Sequence, residues 1–317
     1  MGRLASPELV PQARGGLGRT ARTARGRPQL KAQRGGPGDF EFRLARAQGV
    51  ERSAASAAQL AFLSSVLGHE RARASSPAVR TAAARVGAES FSSRLVERFP
   101  LLNLAASVET VVAEIPIAVD ALRPPSAPGP LWDAGKDLVA RNGTEQRDLV
   151  ERWLDDPSLL DARIAAWISV SAGPVLELAA AALKPISKEE WSGPACPACG
   201  GFPQVSVIRE QSGEFMAGSP RYLVCGRCAM WWSFARATCP WCGEDDSRRV
   251  GSFAPEGERL VRIDACDTCH SYVKTFDLRE QGGRDIVPLV DDVATLTLDV
   301  WAHEKGLQRS GVSLAGV

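Results

Sequence analysis

No run of eighteen consecutive apolar residues occurs in the 317-residue chain, so the sequence has no stretch of the length a membrane span requires. Charge of one sign is also lacking: 38 Lys and Arg stand against 37 Asp and Glu, which excludes a globally basic nucleic-acid binder. The first 195 residues hold no cysteine, and their only histidine is His69. No catalytic triad, phosphate loop or pair of carboxylates at a catalytic spacing is visible, and His69 beside Glu70 reads as an ordinary surface residue. An apolar content of 44% is enough to bury a core and excludes wholesale disorder.

The neutral total hides an asymmetry. Residues 1–40 carry seven Arg and one Lys against one Glu and one Asp, with eight Gly and four Pro. Such a segment cannot repay the entropy of ordering its backbone, so it reads as a disordered basic tail. It has neither the apolar stretch of a secretory signal nor an Arg-Arg pair, and no export signal is expected. A transit peptide or a basic interaction tail are the alternatives to a plain solvated tail. Residues 41–190 are net −2 and residues 191–317 are net −3.

Two textures follow the tail. Residues 41–187 read as a helical domain, rich in Ala, Leu, Arg and Glu with apolar residues at three- and four-residue spacing. Leu44, Ala47 and Val50 begin one stripe, Leu60 to Leu67 another, and Val108 to Leu122 a third that Pro116 is expected to kink. Arg123 to Pro130 is a proline-rich connector. Asp156 before Pro157 predicts a capped helix through Ile164 and Ile168, kinked or broken at Gly173-Pro174. Beyond Lys184-Pro185 short alternating runs predict strands over 203–208, 221–224 and 260–263. In the last segment, 286–317, Asp291 or Asp292 is expected to cap a helix that stops at Gly306.

All eight cysteines lie between positions 196 and 269, as Cys196-Pro-Ala-Cys199, Cys225-Gly-Arg-Cys228, Cys239-Pro-Trp-Cys242 and Cys266-Asp-Thr-Cys269. A tight turn puts two thiolates, two residues apart, on adjacent corners of a tetrahedron, and two such turns complete four-sulfur coordination. Pro after the first cysteine presets the turn, and Gly200 and Gly243 after the second accept a positive φ. The simplest pairing is sequential. Cys196, Cys199, Cys225 and Cys228 form one metal site in a module over 188–234. Cys239, Cys242, Cys266 and Cys269 form a second in a module over 235–285. The fold class is therefore α+β: an all-α domain, two tandem rubredoxin-like, zinc-ribbon-type modules of four cysteines each, and a C-terminal helix.

Other readings stay open at this level. A cross-braced pairing joins the first pair with the third and the second with the fourth. Disulfides would need an oxidising compartment. Redox catalysis normally uses one C-x-x-C at a helix N-terminus, not four in hairpins. Cys266-Asp-Thr-Cys269-His270 also matches a haem-attachment pattern, although the pair is needed to complete the second tetrahedron; His270 would support or replace a ligand there. Zinc in these cages would be a structural staple and iron a redox centre, and the residues do not separate the two. A nucleic-acid role is disfavoured, since two metal-loaded cages would bring residues 191–317 to about −7. Trp231, Trp232, Phe234 and Trp241 are expected to fill the space between the ribbons rather than stack on bases.

The stretches Cys196 to Gly200, Arg221 to Cys228, Trp232, Cys266 to Lys274 and Asp291 to Leu296 together resemble the formate dehydrogenase accessory protein family, FdhE. The resemblance covers roughly 190–310. It implies a non-enzymatic, chaperone-like factor of the cytoplasm that binds the catalytic subunit of formate dehydrogenase during maturation, with two metal ions per chain, iron or zinc. It implies no nucleic-acid partner and no membrane insertion, and leaves a homodimer open. A redox or electron-transfer helper for the same enzyme is the alternative.

Overall fold

The computed structural model describes residues 7–12, 35–51, 53, 55–87, 99–184, 186–209, 219–280, 286–309 and 313. Between residues 40 and 181 the described residues form seven α-helices: α1 (Phe40–Gly49), α2 (Ala57–Ala74), α3 (Pro77–Gly87), α4 (Val108–Ala121), α5 (Gly129–Ala140), α6 (Gly143–Asp155) and α7 (Ala162–Ala181). The last is apolar on nearly every face and lies at the centre, with Trp167, Ile168, Val175 and Leu176 essentially inaccessible. By length and hydropathy it is the one described helix able to cross a membrane, but 78% of that stretch is buried against the rest of the protein. It is the core helix of this half.

Several local expectations are revised. Asp156 caps only the short 3-10 turn Pro157–Leu159, while the Asp161 carboxylate accepts from the Arg163 amide at 3.0 Å and starts α7. Gly173-Pro174 does not end α7. Both residues are buried on all sides, and that packing outweighs the hydrogen bond proline omits. Gly173 gives the Glu70 carboxyl room, since a Cβ there would lie 2.7 Å from its oxygen and that side chain would have to shift. Pro116 likewise sits inside α4 without ending it. His69 is half-buried rather than on the surface, and its Nε2 has no hydrogen-bond partner among the described residues.

The strands are β1 (Leu9–Pro11), β2 (Pro203–Ile208), β3 (Arg221–Cys225), β4 (Trp231–Phe234), β5 (Val250–Pro255), β6 (Val261–Cys266), β7 (Ser271–Asp277) and β8 (Gln308–Arg309). Each cysteine module contributes an antiparallel ribbon, β2-β3-β4 and β5-β6-β7. The modules are not separate beads. Parallel pairing of β2 with β7, in the register Val205 with Lys274 and Val207 with Phe276, joins them into one sheet of order β1-β5-β6-β7-β2-β3-β4. The junction satisfies two strand edges that would otherwise be bare. β8 adds a short parallel pairing to β7.

Leu9–Pro11 lies inside the segment expected to be disordered, yet pairs with β5 from Pro255 to Phe253, so for these residues the expectation fails. The strand hydrogen bonds of a neighbouring edge supply what its own composition cannot. Residues 13–34 of that segment lie outside the described residues.

The C-terminal segment forms two helices, α8 (Pro288–Ala294) and α9 (Leu296–Glu304), divided at Thr295. Neither Asp291 nor Asp292 is the cap. Val287 holds that position, Asp291 accepts its amide at 2.7 Å and pairs with Arg46 of α1, and Asp292 turns inward to cations from the sheet. Gly306 ends the segment at φ +73°, as its placement suggested. Val287, Val290, Val293 and Leu296 pack on α1 and α2, so the end of the chain is locked to its helical beginning.

Candidate metal centres

The four C-x-x-C turns are copies of one local structure. In each, the amide of the residue after the second cysteine donates to the carbonyl of the first: Gly200 to Cys196 at 2.8 Å, Ala229 to Cys225 at 3.1 Å, Gly243 to Cys239 at 3.1 Å and His270 to Cys266 at 2.9 Å. All four residues are left-handed, with φ of +71°, +56°, +78° and +55°. Glycine explains this in two turns. Ala229 and His270 adopt the disfavoured conformation because the turn demands it.

The structure brings the thiols together in sequential order. The Sγ atoms of Cys196, Cys199, Cys225 and Cys228 all lie within 4.8 Å of one another, as do those of Cys239, Cys242, Cys266 and Cys269. A cross-braced arrangement is excluded by this placement. In the first group Cys196 and Cys228 are 3.6 Å apart and Cys199 and Cys225 3.5 Å. In the second, Cys239 and Cys269, and Cys242 and Cys266, are each 3.7 Å apart. A tetrahedron with metal–sulfur bonds of about 2.3 Å has edges of about 3.8 Å, so both groups have the dimensions of a metal cage. A disulfide, at about 2.05 Å, fits neither, and all eight thiols are free. Haem attachment would take Cys266 and Cys269 from the second cage, whose four positions they complete.

Main-chain amides aim at the sulfurs. Arg227 N–H donates to Cys225 Sγ at 3.3 Å and Trp241 N–H to Cys239 Sγ at 3.4 Å, offsetting charge on a thiolate. The Ser271 hydroxyl lies 2.9 Å from Cys269 Sγ. This contact escaped sequence reading, although Ser271 stands two residues after the ligand-type cysteine, where a side chain can fold back. Burial works against ionisation of the Cys269 thiol, but Ser271 and the neighbouring thiols hold it down at about 7. At Cys199 the surrounding thiols and the Arg227 guanidinium similarly outweigh burial, whereas burial pushes Cys196 and Cys228 up. In a bare cage one thiolate thus forbids the next, and a cation is what allows all four to ionise.

The two cages differ in setting. The first is fully buried and belongs to the same apolar core as α3, α4, α6 and α7. Leu101 and Leu102 donate to the carbonyls of Pro197 and Ala198, both at 3.0 Å. Arg227 lies over the Trp153 ring and donates to the carbonyls of Trp153 and Leu154 at 2.9 and 3.0 Å, satisfying the end of α6. The second cage stands at the margin, with Val250 as the one buried apolar side chain clustered with its cysteines among the described residues, and Cys242 is exposed. His270 is exposed too, and that cage consists of the four thiols alone. Trp231, Trp232 and Phe234 are buried, but only Trp231 packs within the joined sheet; Trp232 and Phe234 join the core of the helical half, and Trp241 is 44% exposed and leans on Phe202.

Residues 195–236 match the family profile of the FdhE central domain, and residues 238–315 that of the FdhE C-terminal domain. This C-terminal part of the chain is similar to the FdhE family. A protein FdhE homolog of Aquifex aeolicus is 36% identical over 118 residues, 37% of this chain and 40% of that relative. One from Shewanella oneidensis is 39% identical over 118 residues, 37% of each protein. The alignments therefore span about two fifths of the curated relatives' length. The crystal structure of the FdhE protein from Pseudomonas aeruginosa superposes with a TM-score of 0.57 at 21% identity, covering 88% of this chain and 94% of that one, which shows a shared fold across both halves. The stretches that resemble FdhE meet in space: Lys274 reaches Asp292, and the C-x-x-C turns form the cages.

Proposed function

We propose that this protein is a non-enzymatic accessory factor that binds the catalytic subunit of formate dehydrogenase in the cytoplasm and supports its assembly or activation. The observation that carries this reading is the FdhE match over 195–315, which covers both cages and the helices locked to them. Cys196, Cys199, Cys225 and Cys228 would hold one metal and Cys239, Cys242, Cys266 and Cys269 the other. Iron bound there would supply one-electron chemistry, and zinc a purely structural cross-link. The first cage, sealed in the core, suits a staple that fixes the ribbon to the helices. Deleting the gene and assaying formate oxidation tests the reading: activity is expected to fall, and undiminished activity rejects it.

The exposure of Cys242 favours a second reading for the outer cage, an iron site that exchanges electrons on behalf of the same enzyme. Protein purified without oxygen would then be coloured and contain iron. Colourless protein with two zinc ions per chain removes this reading and leaves the first standing.

A further inference from the structure

A cavity of about 890 Å³ opens over one face of β2, β5, β6 and β7, beside the outer cage, and is lined by five arginines against three carboxylates. Cys239, Cys266 and Ser271 form part of its wall. Arg221 is the decisive residue. It is 3% exposed, its Nε donates to Ser206 Oγ at 2.7 Å, and its Nη1 donates to the carbonyls of Ala235 and Thr238 at 3.1 and 2.8 Å. All these acceptors are neutral. The other buried arginines, Arg43 and Arg309, each face a carboxylate. Among the described residues no carboxylate is in contact with Arg221, and the opposite charges acting on it, Asp264 and the Cys239 thiol, do so only through space. A guanidinium taken out of water without a contacting counter-charge is costly, and such a group lining a cavity marks a place for an anion.

The remaining groups are arranged to suit one. Asp277 pairs with Arg279 and lies 3.6 Å from Arg262, which Asp264 also holds at 2.9 Å, so two guanidinium groups are fixed in place. Arg236 and Arg259 are exposed at the mouth. Guanidinium forks match the oxygens of a phosphate two at a time. The volume lies within the range of small-molecule sites, and its walls mix apolar side chains with the arginines, as such sites do.

We propose that this cavity binds a diphosphate-bearing small molecule, its phosphates held between Arg221 at the base and Arg236 and Arg259 at the mouth. The proposal is independent of the formate dehydrogenase reading. Calorimetric titration of the full, metal-loaded chain with inorganic pyrophosphate at low ionic strength tests it. Saturable binding of one pyrophosphate per chain is expected. The double variant Arg236→Gln, Arg259→Gln should weaken it at least tenfold with the melting temperature unchanged, and Arg221→Lys, where it folds, should do the same. No saturable binding, binding undiminished in the double variant, or tighter binding of an oligoglutamate peptide than of pyrophosphate would each overturn the proposal.

Discussion

The Lys274 ammonium, with no exposed surface, sits 2.8 Å from the Asp292 carboxylate and joins the sheet to the helix that follows it. It is one of four buried charges. Asp299 lies 2.5 Å from Lys274, and Arg309 approaches Asp292 at 2.5 Å and Asp299 at 2.7 Å. Gln204 and Tyr272 complete the hydrogen bonding. Two cations and two anions cancel, which is what makes their burial tolerable.

Asp292→Asn should therefore cost about 3–5 kcal/mol, because two cations would then share one carboxylate. Burial opposes ionisation of Asp292, but Arg309 and Lys274 outweigh it and hold its carboxyl well below the usual range. A depressed folded pKa contributes stability above the unfolded value that is lost as pH falls. The gap between wild type and variant in denaturant titrations should thus narrow below about pH 4. A gap that stays constant down to about pH 2 contradicts the assignment.

Cys196→Ser with Cys199→Ser should lower bound metal from two ions per chain to one and weaken the helical half as well, since that cage is part of its core. Cys242→Ser with Cys269→Ser should remove one ion while the helical signal melts near the wild-type temperature. Metal analysis and circular dichroism on both variants decide. Two ions retained in either variant contradicts the sequential cages.

Much of this was legible in the residues, for reasons that differ by region. The cages could be read because C-x-x-C spacing is a local property of one turn, and β2 could be read because Pro203 to Ile208 alternates. The parallel pairing of β2 with β7 could not, since no local pattern marks two strands so far apart in the chain as neighbours. Asp291 and Asp292 were misjudged as caps for the same reason: their partners Arg46 and Lys274 come from remote elements. Gly173-Pro174 has the local chemistry of a helix end, and only enclosure by the core overrides it. Arg221 could be placed on a strand, but that no described carboxylate touches it, Asp264 acting only through space, is visible only in three dimensions.

The two cages should release metal at different rates. The first is sealed, while Cys242 of the second is exposed. A chromogenic chelator added in excess to native protein should take up one ion quickly and the other only as fast as the protein unfolds. Cys242→Ser should abolish the fast phase and leave the slow one. Release in a single phase contradicts the difference in setting.

In the helical core Glu70 has its carboxyl pushed up to about 8, first by burial and then by the charge of Glu177, with Arg43 acting against both. The raised value means the folded chain keeps a proton that the unfolded chain loses near pH 4.5, so this group lowers stability as pH rises from about 4.5 to 8. Glu70→Gln keeps the shape of the protonated carboxyl over Gly173 and cannot ionise. The variant should match wild type near pH 4.5 and exceed it at about pH 7 by on the order of 2–3 kcal/mol, read from paired denaturant titrations across that range. An advantage that does not grow with pH would mean that Glu70 is ionised in the folded protein, with Arg43 shared between two carboxylates instead of held by Glu177.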